Sequence, residues 1–85
     1  MNNYMNTIGK LLSQERRKKR ISQKKLSQIT KIKEQFIEAI EREQWDTLPN
    51  FATTGGFVRS IARVLGIDQE TAVSLLRRDY PETEK

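Results

Sequence analysis

Residues Ile21–Glu41 read ISQKKLSQITKIKEQFIEAIE, and their punctuation divides them into two short helices joined by a tight turn. Ser22 suits an N-cap, because a short hydroxyl side chain can accept from a free N–H of the first helical turn. The helix it opens runs from Gln23 to about Thr30, with Leu26 and Ile29 as its apolar face. Lys31-Ile32-Lys33 makes the turn, with Ile32 filling the angle between the helices. The second helix covers about Lys33 to Glu43 and points Phe36, Ile37 and Ile40 inward, with Ala39 beside them.

Outward from this pair, the same reasoning finds supporting helices. Thr7 caps a first helix that runs to about Lys19, with Ile8, Leu11 and Leu12 on one face at i, i+3 and i+4. Gly9 costs this helix ~1 kcal/mol relative to Ala, a cost that points to a neighbouring backbone passing close. The helix ends in Arg16-Arg17-Lys18-Lys19-Arg20, cations at the negative end of its dipole. That run reads either as a solvated, dipole-matched end or as a phosphate-contacting patch.

On the C-terminal side, Trp45 and Leu48 close the core from a loop, and Pro49 stops any helix from passing through. Thr53 or Thr54 then caps a fourth helix, Gly55 to Leu65, with Phe57, Ile61, Val64 and Leu65 on one face and Arg59 and Arg63 on another. Gly66 stands at the C′ position, and Ile67 supplies the apolar contact of a Schellman ending. Asp68 caps a fifth helix to about Arg78, carrying Ala72, Val73, Leu75 and Leu76, and Pro81 ends it. No strand pattern or repeat is present. The expectation is an all-α, compact five-helix bundle built around that helix pair. Residues 1–6 form a flexible N-terminus, 7–80 the domain, and 81–85 a tail or the start of a linker.

Eighty-five residues suffice for one small domain and not for two separate cores. The net charge of +5 asks for an anionic partner, whether nucleic acid, an inner membrane face or an acidic protein surface. Cysteine and histidine are absent, which excludes disulfides and thiolate metal sites and removes the commonest nucleophiles and general bases. The chain is therefore expected to be a non-enzyme without catalytic residues, metal, cofactor or small-molecule substrate. MNNYMNTIGK lacks a basic head followed by an apolar run, so it is not a secretory signal. No apolar stretch approaches the roughly 20 residues that span a bilayer, and the expected location is the cytoplasm.

Ser22 to Thr30 followed by Phe36 to Glu41 resembles the helix-turn-helix of phage repressor and Cro-like proteins. Two further runs, Trp45-Asp46-Thr47-Leu48-Pro49 and Gly56-Phe57-Val58-Arg59-Ser60-Ile61-Ala62-Arg63-Val64-Leu65-Gly66-Ile67-Asp68, resemble the amino-terminal cytoplasmic domain of the RodZ family. That likeness covers roughly Ile8 to Tyr80. It implies a module ahead of a linker, one transmembrane helix and a periplasmic part, which binds the actin-like MreB filament and so links the cytoskeleton to cell shape. The chain would then sit at the cytoplasmic face of the inner membrane, tethered through a downstream segment. An 85-residue protein complete in itself would fit a free repressor-like regulator better. Repressor-like domains also pair an arginine of the first helix with a glutamate near the end of the recognition helix; here those are Arg16 and Glu41, read as a structural ion pair.

Two functions are carried forward. A DNA-reading helix-turn-helix lays its second helix in the major groove of double-stranded DNA, and the candidates are Gln23, Lys24, Lys33, Glu34 and Gln35, with Glu38 behind them. Gln23 and Gln35 suit adenine, and Glu34 suits cytosine. Glu34, Glu38, Glu41 and Glu43 against Lys33 and Arg42 is, however, an acidic balance for a helix that must approach phosphates. The adaptor function rests on the fourth helix, where the family's partner face falls on Thr53, Phe57, Arg59 and Arg63. Phe57 matches a family aromatic, whereas Thr53 and Ile61 replace aromatics and Gly55 replaces an arginine. Phe57 reads equally as core. On this balance the MreB adaptor ranks first and the DNA-binding regulator is the alternative.

Overall fold

Four side chains decide where the helices begin. Thr7 accepts from the Lys10 N–H at 3.3 Å, Ser22 from Lys25 at 3.0 Å, Asn50 from Thr53 at 2.7 Å and Asp68 from Thr71 at 2.9 Å. Each satisfies one of the backbone donors that a helix start leaves free. The computed structural model describes residues 6–81. Its elements are α1 (Ile8–Lys18), α2 (Gln23–Thr30), α3 (Glu34–Arg42), a 3₁₀ turn (Trp45–Thr47), α4 (Phe51–Leu65) and α5 (Gln69–Asp79). This is the all-α, five-helix bundle with a central helix-turn-helix, without strands among the described residues. The expected flexible N-terminus and polar tail lie, apart from Asn6 and Pro81, outside those residues.

α4 corrects the sequence reading. It starts at Phe51 under an Asn50 cap, so that Thr53 and Thr54 are inside the helix rather than ahead of it. Leu48, the residue before Pro49, is extended and buried, which leaves Asn50 as the first residue free to cap. The earlier start reveals the inward face as Thr54, Val58, Ile61, Ala62 and Leu65, all 0–1 % exposed, while Phe57 and Val64 flank the core half-buried. The Thr54 hydroxyl has no hydrogen-bond partner in that core.

α2 brings a second correction. Ile29 is 47 % exposed rather than part of the apolar face. The inward position beside Leu26 belongs instead to Thr30, whose hydroxyl donates to the Leu26 carbonyl and accepts from the Ile32 N–H. Ile32 is 6 % exposed and fills the angle between α2 and α3.

Chain reversals are sharp. Lys31 and Glu43 close α2 and α3 in the left-handed region at φ 67° and 58°, and Gly66 closes α4 at φ 76°. After Gly66 the Ile67 N–H reaches the Ala62 carbonyl at 2.9 Å, the long bond of a Schellman ending.

α1 crosses α3 at Gly9. A Cβ there would stand 2.6 Å from the Glu41 carbonyl oxygen and 2.8 Å from that of Ile40. Nearby, two carboxylates from other elements complete the start of α1. The Ile8 N–H donates to Asp79 Oδ2 at 2.7 Å and the Gly9 N–H to Glu43 Oε2 at 3.0 Å. Burial pushes the Asp79 carboxyl up, but the hydrogen bonds from Arg78 and the Ile8 N–H outweigh it and hold the group below the usual carboxylate range.

Because the atoms facing Gly9 are backbone of a packed helix, Gly9→Ala should destabilise the domain by about 1–3 kcal/mol. Urea unfolding should show this as a lower midpoint with an unchanged slope.

Candidate nucleic-acid interface

The α2–turn–α3 unit is held together by polar contacts that join short helices. Ser27 donates its hydroxyl to the Ile32 carbonyl, which ties α2 to the turn. At the far end of the unit, Arg16 donates from Nε to Glu41 Oε2 at 2.7 Å and from Nη2 to Glu41 Oε1 at 3.0 Å. Its Nη1 donates to the Ile21 carbonyl at 2.9 Å, and Gln23 Nε2 donates to Glu41 Oε1 at 2.9 Å. The Arg16 and Glu41 side chains are 10 % and 7 % exposed. Arg16 and Glu41 thus form a bidentate, nearly buried ion pair linking α1, the α1–α2 connection, α2 and α3. The hydrogen bond to Glu41 raises the Arg16 pKa further, against the opposing effect of burial.

Of the residues expected to face DNA, Gln23 is half-buried, with one amide hydrogen committed to Glu41. Lys24, Lys33, Glu34 and Gln35 are exposed, and none makes an ion pair among the described residues. Lys24 is at the start of α2, and Lys33, Glu34 and Gln35 are gathered at the start of α3.

The four glutamates credited to the second helix do not act alike. Glu41 is enclosed by Arg16 and Gln23, Glu43 turns back to the Gly9 N–H, and Glu38 is paired with Arg42 at 3.3 Å. Among the described residues only Glu34 of the four is exposed without such a partner. Lys24, Lys25, Lys31 and Lys33 of the same α2–turn–α3 unit are all exposed at the helix starts and the turn. The acidic balance drawn from sequence therefore overstated the negative charge of this face. The inward turn of Glu41 had a signal in the sequence, because it follows buried Ile37 by four residues and so shares its side of the helix.

The expected partner face on α4 is less uniform. Thr53 and Arg63 are exposed. Phe57 is half-buried against Phe36, their ring centroids 5.5 Å apart with 22° between planes. Arg59 pairs with Glu70 at 3.1 Å. Sequence reasoning missed the Phe36–Phe57 stack, the Gln23–Glu41 bond and Lys31 as part of the basic rim. It also missed an aromatic group in which Tyr80 meets both Trp45 and Phe51, at 5.3 and 5.2 Å between centroids.

A family model described as a helix-turn-helix domain matches residues 11–72. Among solved structures the chain is similar to YmfM from Staphylococcus aureus, described as a candidate DNA-binding membrane protein. The two share 29% identity over 89% of this chain and 93% of that one, with a TM-score of 0.82. No curated protein matches the chain significantly. No helix among the described residues is long and apolar enough to cross a membrane.

Removing one partner of the buried pair leaves a bare charge in the bundle. Arg16→Met should cost about 3–5 kcal/mol, whereas the double change Arg16→Met with Glu41→Leu should recover most of that loss. A double-mutant cycle by chemical denaturation measures the difference.

Proposed function

The chain belongs to the helix-turn-helix domain family, and from that premise we propose that residues 7–80 act as a non-enzymatic module that engages double-stranded DNA through the α2–turn–α3 face. The inward disposal of Glu41 and Glu43 carries this reading. With those acids consumed inside the fold, the exposed face has Lys24, Lys25, Lys31 and Lys33 to meet phosphates, and Arg17 to Arg20 extend the same charge at the end of α1. Base contacts fall to Gln35, suited to the N6 and N7 edge of adenine, and to Glu34, suited to the amino group of cytosine. Gln23 contributes one remaining amide hydrogen and its carbonyl oxygen. Affinity comes chiefly from the backbone contacts and sequence preference from a small number of side chains.

A second reading is a RodZ-like adaptor for the MreB filament, held at the cytoplasmic face of the inner membrane by a segment downstream of Pro81. It is favoured by a likeness to YmfM that extends over 89% of the chain, since YmfM is described as a membrane protein. Thr53, Phe57, Arg59 and Arg63 would form its partner face, with the basic residues steering an acidic filament surface. It ranks second because Phe57 is stacked on Phe36 and Arg59 is engaged by Glu70, which leaves Thr53 and Arg63 as the readily available positions.

Random duplex should be retained at ~50 mM salt and released steeply as salt rises. Lys24→Ala should weaken binding to all sequences alike and reduce the salt slope by about 0.9, whereas Gln35→Ala should change the preferred sequence. Absence of retention at ~50 mM salt would rule out the DNA function.

The adaptor function predicts that the domain co-sediments with polymerised MreB from its own organism and that Arg63→Glu lowers the pelleted fraction. A wild-type domain that stays in the supernatant would eliminate that function.

A further inference from the structure

Between the 3₁₀ turn, the start of α4 and the end of α5 lies a cleft of about 410 Å³ that the helix-turn-helix face does not use. Its walls include Trp45, Phe51 and Tyr80, with Leu48, Pro49 and Pro81 between them. Tyr80 is the central ring. Trp45 meets it at a tilt of 47° and Phe51 edge-on at 75°, so the three rings form a stepped apolar surface rather than a flat stack. All three are half-buried, fixed on one side by the bundle and open on the other. The Arg77 guanidinium, 5.6 Å from the centroid of Phe51, already occupies a face of that ring.

We propose that this cleft is a docking groove for a proline-rich peptide in the polyproline II conformation with a basic residue at one end. Three observations converge on that ligand. First, the chain itself seats a proline there. Tyr80 has φ −73° and ψ 131°, close to polyproline II geometry, and delivers Pro81 into the cleft wall. Second, a polyproline II strand has no internal hydrogen bonds and presents all its carbonyls outward. The lining includes Trp45, Tyr80 and Asn50, side chains that carry N–H or O–H donors for such carbonyls, and the Asn50 carbonyl oxygen is already occupied by the Thr53 N–H. Third, the one charged residue lining the cleft among the described residues is Asp46, exposed and acidic on a chain of net charge +5. A lysine or arginine flanking the prolines has its counter-charge there. Aromatic grooves take such strands because the ligand is already extended and loses little freedom on binding.

Trp45 is the only tryptophan of the chain, so its emission reports on the cleft directly. A decaproline peptide ending in arginine should produce a saturable change in that emission, with amide perturbations in two-dimensional NMR confined to residues 45–51 and 77–81. Asp46→Asn, at an exposed position, should weaken this peptide by about threefold while leaving decaproline without arginine unaffected. Trp45→Phe, followed by NMR, keeps a ring but removes the indole donor and should weaken both peptides. A glycine-serine peptide carrying the same arginine should give no saturable response. No response to the proline peptide up to ~1 mM would overturn the proposal, as would equal binding of the glycine-serine control. Saturation by tetramethylammonium chloride that blocks the peptide would overturn it in favour of a cage for organic cations. An emission change on dilution of the protein alone would overturn it in favour of self-association.

Discussion

The bundle depends on how one buried guanidinium is satisfied. A charge taken from water costs several kcal/mol unless geometry and hydrogen bonds return it, and Arg16 donates two bonds to Glu41 and one to the Ile21 carbonyl. Those partners lie on α3 and on the connection to α2, while Gln23 adds α2 itself. Satisfying Arg16 therefore fixes the mutual positions of the three N-terminal helices. Short helices of 8 and 9 residues have little stability of their own. They acquire a defined angle because Ile32, Ile37 and Ile40 are buried between them and because this pair closes their far end.

The same pair also shapes the outer surface. A glutamate held inside the bundle no longer repels phosphate outside it, so a structural requirement changes the apparent charge of the recognition helix. Glu43 makes the parallel contribution at the start of α1, where its carboxylate meets the Gly9 N–H. Folding thus separates these charges by position: Glu41 goes to the buried arginine and Glu43 to the start of α1, while Lys24, Lys25, Lys31 and Lys33 stay exposed. A net charge counted along the sequence cannot show this, because it gives every side chain equal access to solvent.

Features governed by neighbours in sequence were legible without the structure. Thr7, Ser22 and Asp68 announce helix starts, and Gly66 with Ile67 announces an ending, because capping is decided within a few residues. The start of α4 was not legible, since Asn50, Thr53 and Thr54 are all competent caps and the choice depends on where buried Leu48 leaves the chain. Ile29 misled for a similar reason: its spacing from Leu26 fits a helical face, but Thr30 can turn inward once its hydroxyl bonds locally. At the candidate interface the identities of the exposed residues were readable, and the resemblance to repressor-like domains already paired Arg16 with Glu41, whereas the bond from Gln23 to that carboxylate required knowing how α2 lies against α3. The aromatic cleft joins Trp45 and Phe51 to Tyr80 across the whole of α4 and α5, and no local pattern marks it.

Rigidity follows from where these surfaces are anchored. Leu48, between Trp45 and Phe51, is part of the core at 7 % exposure, so one wall of the cleft is held by hydrophobic packing. On the other wall, Tyr80 follows Asp79, whose carboxylate binds the Ile8 N–H and draws the end of α5 onto the start of α1. Neither wall is a free loop, and neither has to be ordered when a ligand arrives, which removes part of the entropic cost of association. The turn between α2 and α3 is fixed by the same logic through Ile32 and Ser27. A bundle of this size keeps two surfaces in defined shape because each is tied to the core at both edges, and its small interior serves both.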